Sequence, residues 1–215
     1  MLASAAVPAL PRGAVDTHVH VLDAARFPFD PATAYRPQAH ESGNAADLAR
    51  VLDAHGVDRV VMVNPTSGYN FDLDCLLDAV ARLGARARGI ARVPPDIERR
   101  RLRALARRGV AGVRVDLVAD GIAAAAAAEP LVRLLADENL LLDIQCEGDQ
   151  LAAFAPVLAR IPVRIVVDHL GRPAPAKGVR QPGFRALLEL AATGRAAVKL
   201  SGAMRSSTRA PSGRL

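Results

Sequence analysis

Short apolar runs alternate along this chain with longer amphipathic stretches, and the alternation is regular enough to predict its elements. Candidate strands are Val15–Leu22, Asp58–Asn64, Ala87–Val93, Ala111–Leu117, Leu140–Glu147, Val163–His169 and Ala196–Ser201. Most are rich in Val and Ile, as strands buried on both faces should be. The stretches between them carry helical spacing with readable ends. Asn44 reads as an N-cap, followed by Leu48, Val51, Leu52 and His55 on one face and by Gly56 as the stop. Asp72 starts a second helix over Leu73, Leu76, Leu77 and Val80, ending at Gly84. Asp96 caps a third, over Leu102 and Leu105, ending at Gly109. Pro130 opens a fourth over Leu131, Leu134 and Leu135. Asp149 caps a fifth with Leu151, Phe154, Val157 and Leu158. The sixth lies near Phe184, Leu187, Leu188 and Ala191 and stops at Gly194.

Strands that alternate with helices imply a parallel sheet joined by right-handed crossovers. An open doubly wound sheet and a (β/α)8 barrel both satisfy that rule. The first strand lacks the Gly-rich turn that a dinucleotide fold places after it. Polar residues instead collect at the C-terminal ends of many strands: His18, His20, Asn64, Arg114, Gln145, Glu147, His169 and Ser201. Barrel active sites are assembled at such positions, so the expectation is an α/β barrel of the TIM type. The connections at 23–43 and 174–181, both containing Pro, would be loops around its mouth, and the alanine run at 123–128 reads as a variable surface helix. Seven strands are legible where a closed barrel has eight. The tail from Ala203 to Leu215 carries no strand or helix signal. The whole chain therefore reads as one domain, 1–215, incomplete at its C-terminus.

The chemistry starts at Val15-Asp16-Thr17-His18-Val19-His20-Val21. On a strand, alternate side chains share a face, so Asp16, His18 and His20 project together, and the flanking valines are expected to be buried. Buried imidazoles need hydrogen-bond partners, which makes two of them on one strand a poor choice for a core. A second signal, Val167-Asp168-His169-Leu170-Gly171, ends a buried strand with a histidine just before a glycine turn. His40 and His55 fall in a loop and at a helix end and receive no catalytic role.

Composition narrows the options. The chain has 215 residues, 51% of them hydrophobic, but only 3% aromatic and no Trp, so its core is aliphatic. The formal net charge is +6. Nucleic-acid binding is not the reading: the arginines are scattered and no aromatics interleave with them for base stacking. A small anionic substrate accounts for the positive charge as well. Cys75 and Cys146 fit no metal spacing and read as reduced, buried thiols of a cytoplasmic protein. Met1–Pro11 lacks a signal peptide's basic start and long apolar run. No stretch reaches membrane-spanning length.

Three motifs in order, Asp16-Thr17-His18-Val19-His20, then Asp168-His169-Leu170-Gly171, then Lys199-Leu200-Ser201-Gly202, resemble the amidohydrolase-related family of the amidohydrolase superfamily. The branch they resemble is that of the 2-pyrone-4,6-dicarboxylate lactonase-like hydrolases, and the likeness runs from about Val15 to Ser207. The resemblance implies a lactone-hydrolysing barrel in which His18, His20 and His169 surround the lactone carbonyl. They would polarise it directly or through one divalent metal, zinc if any; the same three histidines would then be the ligands. Either device stabilises the charge that develops on oxygen as water attacks. Arg114 matches a substrate-binding arginine of the family and suits bidentate capture of a carboxylate; pairing with Asp116 on the same strand is an equal alternative. Arg205 is either a second carboxylate anchor or a solvated arginine of the tail. Gln145 and Asn64 are candidate donors to substrate oxygens.

One part of the family pattern has no match. The general base expected on strand eight, in a Gly-Ser/Thr-Asp/Asn-Trp-Pro segment, is not present, and Asp116 and Asp143 are the inward-facing carboxylates left, Asp143 deeper than suits the role. The expectation is therefore a lactonase-type scaffold of impaired activity. Unpaired barrel edges would favour pairing with another copy. The alternatives are a metal-dependent hydrolase or decarboxylase of a neighbouring branch, or a non-catalytic remnant that binds organic acids.

Overall fold

The computed structural model describes residues 9–202 and 207. The chain divides into two compact units, Met1–Ile90 and Ala91–Leu215.

In the first unit β1 (Val15–Val19), β2 (Arg59–Val63) and β3 (Ala87–Arg92, whose last residues fall in the second unit) pair in parallel and in chain order. Helix α1 (Ala45–His55) connects β1 to β2, and α2 (Asp74–Leu83) connects β2 to β3. The start of α1 is built as its sequence predicts: the Asn44 side chain accepts from the amides of Ala46 and Asp47 while the Asp47 carboxylate accepts from the Asn44 amide. The core of this unit is aliphatic, with Leu52, Val60, Met62, Leu76, Leu77 and Ile90 buried. The long connection after β1 is tied back in several places. Leu22 bridges to Gly43, the Thr33 hydroxyl accepts from the Gly68 amide, and the Arg26 guanidinium grips Asp78 of α2 through two bonds of 2.7 and 3.0 Å.

In the second unit β4 (Val110–Asp116), β5 (Leu141–Gln145), β6 (Arg164–Val167) and β7 (Ala196–Val198) also pair in parallel and in chain order. Helix α3 (Arg99–Arg107) precedes β4; α4 (Glu129–Asp137), α5 (Gln150–Arg160) and α6 (Pro182–Ala192) are the crossovers that follow. Val113, Leu142, Ile144, Ile165 and Val167 of the strands bury against Leu102, Leu131, Leu135, Phe154, Leu158 and Leu187 of the helices. Helix α6 starts against the turn before α5: a Cβ on Gly183 would lie 2.0 Å from the Gly148 carbonyl oxygen, so only glycine fits there.

All seven predicted strands are present, most shorter than their apolar runs. Three local expectations are corrected. Asp96 does not cap α3, because it is used in the turn at 95–96 and the helix starts two residues later, after Glu98. Asp149 stands at the N-cap of α5, yet its carboxylate binds the Lys177 ammonium at 2.8 Å and the Gly183 amide at 3.0 Å instead of the helix's own amides. The alanine run does form a short helix, Ala123–Ala127, but Ala125 and Ala128 are buried, so it packs on one side.

Candidate active site

Strand β1 differs from its prediction in exposure and in register. Val15 is 43% exposed, and Asp16 and Thr17 are exposed as well. Among the described residues of its unit β1 pairs with β2 alone, which leaves its other edge uncovered. The pairing also slips between Asp16 and Val19: these residues face Val60 and Met62, so three steps on β1 match two on β2. Bulges of this kind re-aim side chains, often near active sites. Asp16 turns its carboxylate to the amide of His18 at 3.0 Å and does not join the histidine pair.

The two imidazoles do come together. Their Nε2 atoms are 3.4 Å apart, with the rings edge to face. His20 Nδ1 lies 2.7 Å from the carbonyl oxygen of Val63, at the end of β2. A carbonyl can only accept, so Nδ1 carries the proton and Nε2 the lone pair. Two ligand nitrogens on one tetrahedral zinc, at about 2.0–2.1 Å each, stand roughly 3.3 Å apart. The His18–His20 spacing therefore fits two ligands of one divalent cation, with His20 oriented by a backbone carbonyl as metal-binding imidazoles generally are.

In the second unit His169 is the second residue after β6, inside a turn of unusual backbone. His169, Leu170 and Arg172 all have positive φ, at 50°, 59° and 42°. Each such non-glycine residue costs on the order of 1–3 kcal/mol and persists only where its surroundings over-determine it. The side chain is fixed by Ser201, whose hydroxyl lies 2.8 Å from Nδ1.

Beneath this turn lies a group of buried charges. Arg114 Nε donates to Asp143 Oδ1 at 2.9 Å, and Arg114 Nη2 donates to Asp168 Oδ2. Lys199 Nζ reaches Asp143 at 3.0 Å and Asp168 at 2.8 Å. Two cations and two carboxylates thus form a neutral cluster that joins β4, β5 and the segments after β6 and β7. Burial opposes the charge on Arg114, but Asp143 and Asp168 outweigh it and raise the guanidinium pKa above its ordinary value.

The cluster accounts for two of the candidate residues. Arg114 is 3% exposed and its guanidinium is engaged by Asp143 and Asp168, with the charge of Asp116 also acting on it, so it is an internal ion-pair partner and not the outward-facing substrate anchor expected. Asp143 neutralises buried cations and is not placed to activate water. Asp116 is also committed: its Oδ1 accepts from the amides of Val118 and Ala119 and caps the short helix Leu117–Asp120.

Of the other predicted contacts, Asn64 is fully buried and its amide donates to the Asn70 carbonyl at 2.7 Å, holding a residue with φ of 50°. It braces the turn after β2 and does not reach outward. Gln145 is half-buried at the end of β5, and its amide makes no hydrogen bond among the described residues. Arg205 lies outside the described residues, as does most of the tail. His40 and His55 are exposed, in a turn and at the end of α1. Cys75 and Cys146 are buried free thiols, and burial pushes Cys146 up to about 12.

The roles of Lys199, Asp168 and Ser201 were not assigned from sequence. The available signal was a charge inside or beside an apolar strand run, where an unpaired ion is too costly to bury.

The sequence pattern of the Amidohydrolase family matches residues 15–214. The chain belongs to this family. A 4-sulfomuconolactone hydrolase of Hydrogenophaga intermedia is 28% identical over 207 residues, 94% of this chain and 67% of that protein. A 2-pyrone-4,6-dicarboxylate hydrolase of Comamonas testosteroni is 32% identical over 183 residues, 84% of this chain and 59% of that protein. The amidohydrolase chain thus spans about two thirds of the length of the curated relatives it matches. Among solved structures, a probable 2-pyrone-4,6-dicarboxylic acid hydrolase of Acinetobacter baumannii, with citric acid bound, superposes with a TM-score of 0.80 at 25% identity, over 90% of this chain and 72% of that one. The fold class is accordingly that of a (β/α)8-type amidohydrolase barrel, with seven parallel strands among the described residues. No helix of the described residues is long and apolar enough to cross a membrane.

Proposed function

We propose that this chain belongs to a hydrolase that opens a carboxylated lactone by attack of water on the ring carbonyl. The observation that carries the reading is the His18–His20 pair, Nε2 to Nε2 at 3.4 Å, in a family whose relatives are named for lactones. His169, at the end of β6, is the third histidine of the reading. Barrel enzymes draw their reacting groups from such strand ends.

In this reading the imidazoles face the carbonyl oxygen and offset the negative charge that develops on it as water adds. A zinc ion held by His18 and His20, when bound, would supply Lewis-acid polarisation of the carbonyl, and the family resemblance would add His169 to its ligands. Gln145, half-buried at the end of β5, is the side chain we assign to donate to a substrate oxygen. Water activation is not assigned to Asp116 or Asp143.

The test is hydrolysis of a panel that includes 2-pyrone-4,6-dicarboxylate and 4-sulfomuconolactone. Replacing His18 with Ala should lower kcat/KM by about 10²–10³-fold, the loss typical of one oxyanion-stabilising group, while the far-UV spectrum stays unchanged. Full turnover by His18→Ala removes the proposal. Organic-acid binding without turnover by the intact chain points instead to a non-catalytic remnant. The histidine spacing keeps a second reading in view, that of a metal-dependent hydrolase or decarboxylase. Near-stoichiometric zinc or manganese after mild purification, lost in His20→Ala, would favour it.

A further inference from the structure

We propose that Arg92 is the cation that receives a carboxylate of the substrate, and that Asp120 holds its place until the substrate arrives. The inference rests on the functional reading above, which supplies the carboxylated lactone.

Arg92 is the last residue of β3. A Cβ on Gly89 of the same strand would meet Val80 and Leu76 of α2 at 3.3 and 3.4 Å. Gly89 therefore faces the helix, and Arg92, three residues on, projects from the opposite face of the sheet. Barrel enzymes draw their binding groups from such strand ends. The Arg92 side chain is 4% exposed, and its Nη2 donates to Asp120 Oδ1. Asp120 ends the short helix Leu117–Asp120, and its side chain is 40% exposed. Its carboxylate makes no other hydrogen bond among the described residues. The ion pair thus has one member inside the protein and one at its surface.

Arg114 shows what a fixed arginine looks like. A guanidinium stays charged at every working pH, so a buried one requires an anion. The anions of Arg114 are Asp143 and Asp168, themselves 0% and 1% exposed. Neither can leave, because a displaced carboxylate would remain buried without its cation. Asp120 can leave, because its carboxylate moves into water that it already touches. A ligand carboxylate arriving at Arg92 exchanges one anion for another. The guanidinium keeps a charge-assisted hydrogen bond, and its planar fork suits two-point capture. A neutral lactone would have to displace Asp120 without replacing its charge. The pair therefore selects for carboxylated ligands and competes with them, so that removing Asp120 strengthens binding and removing Arg92 abolishes the selection.

The experiment is calorimetric titration of the full chain with isophthalate, an aromatic dicarboxylate that cannot be hydrolysed and whose carboxylates are spaced as in 2-pyrone-4,6-dicarboxylate. Arg92→Gln should weaken binding by about 10–100-fold, the range for a hydrogen bond to a charged group. Arg92→Lys, which keeps the charge and loses the fork, should fall between Arg92→Gln and wild type. Asp120→Asn should tighten binding several-fold, because the closed pair no longer competes. A structural ion pair predicts the reverse for Asp120→Asn, so unchanged or weaker binding by that variant overturns the proposal even if Arg92→Gln does not fold. Unchanged binding by a folded Arg92→Gln overturns it too, as does failure of isophthalate to bind both wild type and Asp120→Asn. With 2-pyrone-4,6-dicarboxylate as substrate, the effect of Asp120→Asn should appear as a lower KM. If the wild type turns over no lactone, the functional reading fails, while the calorimetry still decides the role of Arg92.

Discussion

The two regions that carry histidines solve the same problem in opposite ways. In the first unit His18 lies on β1 and His20 just past its end, and one carbonyl, that of Val63, orients the second ring. Almost everything needed is local: the strand period puts both imidazoles on one side, and a bulge adjusts their aim. In the second unit a single histidine stands in a turn that no local preference favours. It is held by Ser201 and by a cluster of four buried charged side chains drawn from distant parts of the chain. A pair of neighbouring imidazoles can be written into three consecutive residues, whereas one histidine in a strained turn needs tertiary structure to hold its backbone in place.

The contrast has measurable consequences. Asp143→Ala should sharpen it most. Removing one member of a buried ion-pair network leaves uncompensated charge and costs about 3–5 kcal/mol, to be read from urea unfolding. Asp16→Ala, at the exposed histidine strand, should fall within about 0.5 kcal/mol of wild type. Equal losses at the two positions would break the comparison. Next in size is Asn44→Ala, which removes the cap of α1 and should cost about 1 kcal/mol. Its effect belongs to the first unit and should leave amide-exchange protection in β5 and β6 unchanged. The smallest effect is a pH dependence. Hydrogen bonds from Arg26 and Arg82 hold the Asp78 carboxyl down at about 2. A depressed carboxyl stabilises the fold above its unfolded pKa of about 4 and loses that contribution as pH falls toward 2. An acid titration should therefore show wild type and Asp78→Asn converging in stability between those values, with the connection after β1 loosening first in the wild type.

Legibility in the sequence followed the range of the interaction. The strands and most helices were readable because apolar periodicity and capping residues such as Asn44 and Gly56 act over a few positions. Asp96 and Asp149 misled for the same reason: each has the right local spacing for a cap, but a proline turn or a partner on another element claims it. Of the valines expected to be buried around His18, Val21 is and Val15 is not, because burial depends on neighbouring strands, which the run itself does not specify. Arg114 was the largest miss. Its residue type suits a carboxylate, and it does bind two, but both belong to the protein.

The sequence by itself determined the order of the strands and crossovers, the closeness of His18 and His20 through their two-residue spacing, and membership of the amidohydrolase family through motifs that are short and contiguous. Only the tertiary structure decided which charges are interior, that Lys199 and Arg114 share Asp143 and Asp168, and that Ser201 holds His169. Periodicity and capping are properties of neighbouring residues along one chain segment. The pairing of buried charges is a property of segments far apart, each requiring its counter-ion once water is removed.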